Sequence, residues 1–161
     1  TDLHESPSEG SLLPPSEQRA PVVSVKQIEI AADPEEVWEV LTAFDRWPSW
    51  NPDVTSMSLS GPPSVGTTFR WKAGPGTIRS TIRRMEPPRV IAWTGRTLGM
   101  KALDAFQLQP RDGHTVVREE ESWSGLVARL FRRSLQKTLD RSLESGLRHL
   151  KAEVERKQAV R

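Results

Sequence analysis

Residues 66–123 read GTTFRWKAGPGTIRSTIRRMEPPRVIAWTGRTLGMKALDAFQLQPRDGHTVVREEESW. Four turn signals divide this stretch: Gly74-Pro75, Pro87-Pro88, Leu98-Gly99 and Asp112-Gly113. Asp-Gly is a strong two-residue hairpin signal, whereas Gly-Pro and Pro-Pro are weaker ones. A two-residue connection at each sets an antiparallel register, and rows of neighbours follow from it. One row runs Thr67, Ile82, Trp93, Asp104, Glu121, and the next Phe69, Ser80, Gly95, Ala102, Trp123. A third holds Trp71, Ile78, Thr97 and Met100, and a fourth Arg84, Ile91, Phe106 and Glu119.

One face of the expected sheet therefore collects Phe69, Trp71, Ile78, Ile82, Ile91, Trp93, Phe106 and Trp123. The other collects Arg70, Arg79, Arg96 and Lys101 in a single row, with Arg83, Arg118 and Glu120 nearby. A slip of one residue would flip every side chain of a strand, so this sorting supports the register. The pattern predicts a curved antiparallel sheet with an aromatic inner face and a polar outer one.

Outward from the strands, Val22–Ile30 alternates imperfectly and reads as an opening strand. Asp33, Pro34 and Glu36 form a helix-start signature ahead of Val37, Val40, Leu41 and Phe44 at helical spacing. DRWPSWNP at 45–52 reads as a second short helical turn. From Leu126 to Lys157 a proline-free stretch carries Val127, Phe131, Leu135, Leu139, Leu143, Leu147, Leu150 and Val154 at steps of three and four. This predicts one long helix, either packed over the sheet with a solvated basic back or presented to a membrane surface or partner. Residues 1–21 mix prolines and serines with four acids against the single Arg19, and are expected to be a disordered tail. Residues 22–161 then form one α+β domain.

Composition narrows the chemistry. The chain has no cysteine, which removes a disulfide framework, a thiolate metal site and a cysteine nucleophile. His4, His114 and His149 fall in no metal-ligand spacing, and the glycines form neither a phosphate-cradling loop nor a dinucleotide fingerprint, so neither a metal nor a cofactor is expected. A formal net charge of +2 and cations without interleaved aromatics argue against nucleic acid as a partner. No apolar run approaches the ~18 residues of a membrane span, and the first residues lack a signal peptide's pattern. A cytoplasmic domain without integral membrane association is the expectation, with oligomeric state left open.

The inner face suggests a pocket. Six tryptophans and no tyrosine make the aromatic surface nearly free of hydroxyls. Among those aromatics the register places Asp104 opposite Glu121, with Glu119 close by. Burying unpaired carboxylates costs several kcal/mol, so a wet cavity accommodates these groups better than a filled core. The candidate ligand-binding residues are Trp50, Phe69, Trp71, Ile78, Ile82, Arg84, Ile91, Trp93, Phe106, Glu119, Trp123, Leu139 and Leu143. Asp104 and Glu121 are the candidate catalytic pair: sharing a proton, one would serve as general acid or base. The plainer alternative is a structural pair satisfied by water, or by Arg84 at the cavity mouth.

The order of elements and the residues IEIAADPEEVWEVLTAFDRWPSWNPDV at 28–54 resemble the START-like, or SRPBCC, superfamily, in particular its polyketide cyclase/dehydratase branch. VGTTFRWK at 65–72 and PPRVIAWTGRTLGMKA at 87–102 add to the resemblance, which covers roughly residues 22–157. It implies a helix-grip fold: a curved antiparallel sheet wrapped around a long C-terminal helix, with two short helices after the first strand. It also implies a deep hydrophobic cavity for lipids, steroids or polyketides, with Trp47, Trp50 and Asn51 bordering its entrance. The leading expectation is carriage or sequestration of a small hydrophobic, ring-bearing or poly-oxygenated molecule. The alternatives are a cyclase or dehydratase acting on a polyketide-like substrate, and a protein or membrane interaction module.

Overall fold

The computed structural model describes residues 10–161. Its seven strands are β1 (Val22–Ile30), β2 (Ser56–Leu59), β3 (Thr68–Lys72), β4 (Thr77–Glu86), β5 (Val90–Thr97), β6 (Met100–Arg111) and β7 (His114–Ser124). They form one antiparallel sheet in the order β1-β7-β6-β5-β4-β3-β2. Between β1 and β2 lie helix α2 (Pro34–Thr42), a 3-10 turn (Phe44–Arg46) and helix α3 (Trp47–Trp50). The chain closes with α4 (Leu126–Leu130) and α5 (Arg132–Ala159). This is the helix-grip architecture.

The register matches the turn-based expectation at Phe69 with Ser80, Ile82 with Trp93, Trp93 with Asp104, and Asp104 with Glu121. Leu98-Gly99 and Asp112-Gly113 make two-residue connections. At the latter both residues take positive φ, 50° and 81°, the twist a tight hairpin requires. The other two connections are longer: residues 73–76 bridge β3 to β4, and 87–89 bridge β4 to β5. The second shifts the register by one residue beyond Ile82, through a bulge that leaves Arg83 and Arg84 both exposed. Met85, not Arg84, consequently pairs with Ile91.

The long C-terminal helix is interrupted. Phe131, with φ −113° and ψ 32°, separates α4 from α5 and is 59% exposed, so it does not continue the buried stripe. Val127 packs where a side chain on Gly99 would stand, at 2.6 Å from the ideal Cβ, which ties α4 to the β5–β6 hairpin. Beyond the break, Leu139, Leu143, Leu147, Leu150 and Val154 are buried, one face of α5 laid on the sheet.

Disorder through residue 21 also needs correction. From Gly10 onward the segment is structured, and it includes helix α1 (Pro15–Gln18). Leu13 is 3% exposed. The Leu12 amide donates to a Glu120 carboxylate oxygen on the outer face of β7, while Arg118 Nη2 donates to the other oxygen at 2.9 Å. A carboxylate with no bulk water left around it needs such donors, and the N-terminal segment supplies the Leu12 amide and, at 3.4 Å, the Ser11 hydroxyl. The remainder of the expected tail, residues 1–9, lies outside the described residues. Leu13→Ala is expected to lower stability by about 2 kcal/mol in urea denaturation, the low end for a buried leucine; an unchanged midpoint would show that this segment contributes no packing.

Candidate functional site

The core is divided. One buried cluster gathers Phe44, Trp47, Phe69, Ile82, Ile91, Trp93, Phe106 and Leu150 with the inner face of α2. A second, smaller one holds Val22, Ala128, Leu139 and Leu143. Between them lies a cavity of about 990 Å³, at the upper end of the ~300–1,000 Å³ usual for small-molecule sites. Exposed residues of the 73–76 and 98–99 turns and of α5 line its outer part. Its inner walls are Trp71, Ile78, Trp93, Phe106 and Trp123 from the sheet, Trp47 and Trp50 from α3, and Leu135, Leu143 and Leu150 from α5.

Small residues keep the space open. A Cβ on Gly95 would stand 3.3 Å from the Ala102 Cβ and 3.4 Å from Ile78 Cγ2. Gly95 and Ala102 pair across β5 and β6, and both line the hollow. The aromatic wall is braced by its own contacts: Trp93 stacks on Phe106 with centroids 5.4 Å apart, and Trp47 meets Trp71 edge-on at 5.7 Å. The Trp71 indole donates to Ser80 Oγ at 3.0 Å, but the buried Trp50 indole nitrogen has no partner among the described residues.

Of the residues expected to contact a ligand, Trp50, Trp71, Ile78, Trp93, Phe106, Glu119, Trp123 and Leu143 line the cavity. Phe69, Ile82, Ile91 and Leu139 lie behind that lining, at 0–1% exposure, in the two packed clusters. Arg84 is a correction: the β4 bulge turns it to the outside, where its Nε donates to Glu86, far from any role at the cavity mouth. No periodicity argument could have found that bulge, although two successive arginines at 83 and 84 were its visible trace. The sequence reading also missed Met100, Ala102, Leu135 and Leu150 as lining residues, because curvature and the α4–α5 break decide which part of each stripe reaches the hollow.

Asp104 and Glu121 both project into the cavity, and Glu119 joins them. One carboxylate oxygen from each lies within 4.8 Å of the others, the one group among the described residues close enough to hold a metal ion. That geometry qualifies the expectation of no metal, which rested on histidine and cysteine spacing. Asp104 and Glu119 are 7% and 5% exposed, and Asp104 Oδ1 has no hydrogen-bond partner. The Trp123 indole donates to Glu121.

Burial is the largest cause acting on all three, and it favours the protonated form. The Asp104 carboxyl is pushed well above its ordinary range, with the Glu119 charge adding to desolvation. Glu121 is likewise raised, by desolvation and then by the Asp104 charge. Glu119 is pushed up to about 8, its hydrogen bond to Asp104 offsetting part of the burial. Around neutral pH such a cluster retains protons, and so can donate as well as accept them.

Raised carboxyls make the folded state bind more protons than the unfolded chain. Stability is therefore expected to fall as pH rises from about 4.5, the ordinary Glu value, through about 8, where Glu119 ionises. Thermal melts of the ligand-free protein should show a higher midpoint near the lower limit than near the upper one, and Glu119→Gln should flatten that slope. A midpoint that climbs with pH across this window would refute the burial argument.

Residues 21–155 match the model of a family described as polyketide cyclase / dehydrase and lipid transport. Several solved structures share the fold at low sequence identity. A hypothetical protein, jhp0584, from Helicobacter pylori superposes with a TM-score of 0.79 at 14% identity, over 91% of this chain and 98% of that one. The Zhui aromatase/cyclase from Streptomyces sp. R1128 gives 0.75 at 18%, over 86% and 95%. A START superfamily protein from Mycobacterium smegmatis gives 0.73 at 17%, over 83% and 97%. No curated protein matches the chain in sequence.

Proposed function

The chain belongs to the polyketide cyclase/dehydrase and lipid transport family, and from that premise we propose that it binds a small hydrophobic, ring-bearing or lipid-like molecule in its central cavity as a carrier or sequestering protein. The observation that supports this most is the hollow itself. A cavity of about 990 Å³ with tryptophan walls exposes apolar surface that a ligand would cover. A protein built only to present its surface to a partner has no use for such a void, which costs stability. No helix among the described residues is long and apolar enough to cross a membrane.

A second reading is supported by the carboxyl cluster. In it the protein is an enzyme of the cyclase or dehydratase kind, with Asp104 and Glu121 as general acid and base. A protonated carboxyl beside an ionised one can give a proton to a leaving hydroxyl and take another from carbon. The aromatic walls would hold a flexible poly-oxygenated chain in a reactive fold.

Native mass spectrometry of the purified protein is expected to show a co-purifying small molecule. Ala102→Trp, which fills the cavity from β6, should abolish it and weaken rebinding by at least ~10-fold, about 1.4 kcal/mol. An empty protein, or a ligand retained equally by the filled variant, would count against the cavity as the binding site. Asp104→Asn separates the two readings: a carrier still returns its ligand unchanged, while an enzyme loses turnover and the acid limb of its pH-rate profile.

A further inference from the structure

Among the described residues, no cation pairs with the acids in the hollow. Three cationic residues border the cavity: Arg96 and Lys101, whose side chains belong to the outer face of the β5–β6 hairpin, and Arg141 on α5, and all three are exposed. None of them is among the charges acting on Asp104, Glu119 or Glu121. The remaining charged group on the wall, Asp53 after α3, is occupied by the Ser145 hydroxyl at 2.7 Å. Meanwhile Asp104 is 7% exposed and faces the cavity with Oδ1 unpartnered. A buried acceptor left without a donor is costly, and a bound molecule carrying N–H groups can supply one.

We propose that the cavity is selective for hydrophobic molecules carrying a protonated amine, whose ammonium group sits among Asp104, Glu119 and Glu121 with its apolar body against Trp71, Trp93 and Phe106. This inference rests on the cavity's being the ligand site. A primary ammonium has three N–H donors, and the cluster presents three carboxyl groups within 4.8 Å of one another. Charge-assisted hydrogen bonds of this kind are about twice as strong as neutral ones. The flanking indole and phenyl rings add attraction for a desolvated cation. A divalent metal fits less well. Calcium and magnesium take roughly six to eight oxygen ligands, and the walls around this cluster are aromatic.

The charge balance gives the inference its own signature. Without ligand the cluster holds protons near neutral pH; an ammonium arriving beside it favours the ionised carboxylates, so a proton leaves to solvent as the amine binds. A neutral ligand of the same shape releases none.

The test uses the full chain, dialysed against chelator, and three probes of one skeleton: 2-naphthylmethylamine, 2-naphthalenemethanol and 2-naphthoate. Binding is followed by tryptophan fluorescence and by titration calorimetry in two buffers of different ionisation enthalpy. The amine should bind at least ~10-fold tighter than the alcohol, with release of about one proton, and the carboxylate should bind weakest. Asp104→Asn and Glu119→Gln should each bring the ratio of amine to alcohol affinity to within ~3-fold of unity. Two separate variants guard against one failing to fold. Equal binding of amine and alcohol, or a preference that survives both substitutions, overturns amine selectivity and leaves the carrier reading standing. Failure of all three probes to bind overturns both. A calorimetric response to calcium or magnesium alone that excludes the amine overturns it in favour of a metal centre.

Discussion

Everything in this molecule depends on period-two alternation maintained around a curved sheet. Apart from the bulge in β4, each strand from β3 to β7 sends alternate residues to the concave side, and antiparallel pairing keeps those residues in register from one strand to the next. Helix α5 can then close the concave side with a single apolar stripe. It does so at two places: Leu147, Leu150 and Val154 meet the α2 and Phe44 cluster, and Leu139 and Leu143 meet Val22. Curvature holds the sheet away from the helix between these contacts, and that gap is the cavity.

The concave face is not uniformly apolar, and the exceptions are informative. Three acids occupy inward positions on β6 and β7, where filled packing would force them to be neutral or paired with a cation. The protein meets the cost with protonation, one indole donor and the open volume of the hollow. Stability gained in the two packed clusters tolerates this unfavourable patch between them, a common arrangement at functional sites.

The convex face follows a different logic. Arg70, Arg79, Arg96 and Lys101 stand in one exposed row, in keeping with a solvated surface. Glu120 breaks the pattern because it is buried there, beneath the segment that begins at Gly10. The N-terminal residues thus contribute to the sheet's outer packing through Leu13, the Leu12 amide and the Ser11 hydroxyl, a contact too small to leave a compositional mark.

Within residues 66–123, local chemistry alone was enough to establish the strands, most of their pairing and the face to which each tryptophan belongs. Those properties follow from turn residues and alternation, which are short-range, and they suffice to place Asp104 opposite Glu121. The resemblance at 28–54 added the helix-grip order. Three features lay beyond local reading: the bulge that turns Arg84 outward, the break at Phe131, and the docking of Leu13. The bulge goes with a three-residue connection at 87–89 where two were expected, while the other two accompany contacts between segments distant in the chain, Val127 held on Gly99 and Leu12 donating to Glu120. The division of the inner face into packed core and cavity wall was likewise a tertiary decision. Phe69 and Trp71 are equivalent by alternation, yet one is buried among aromatic rings and the other borders the hollow, because only the position of α3 and α5 above the sheet determines where the space is filled.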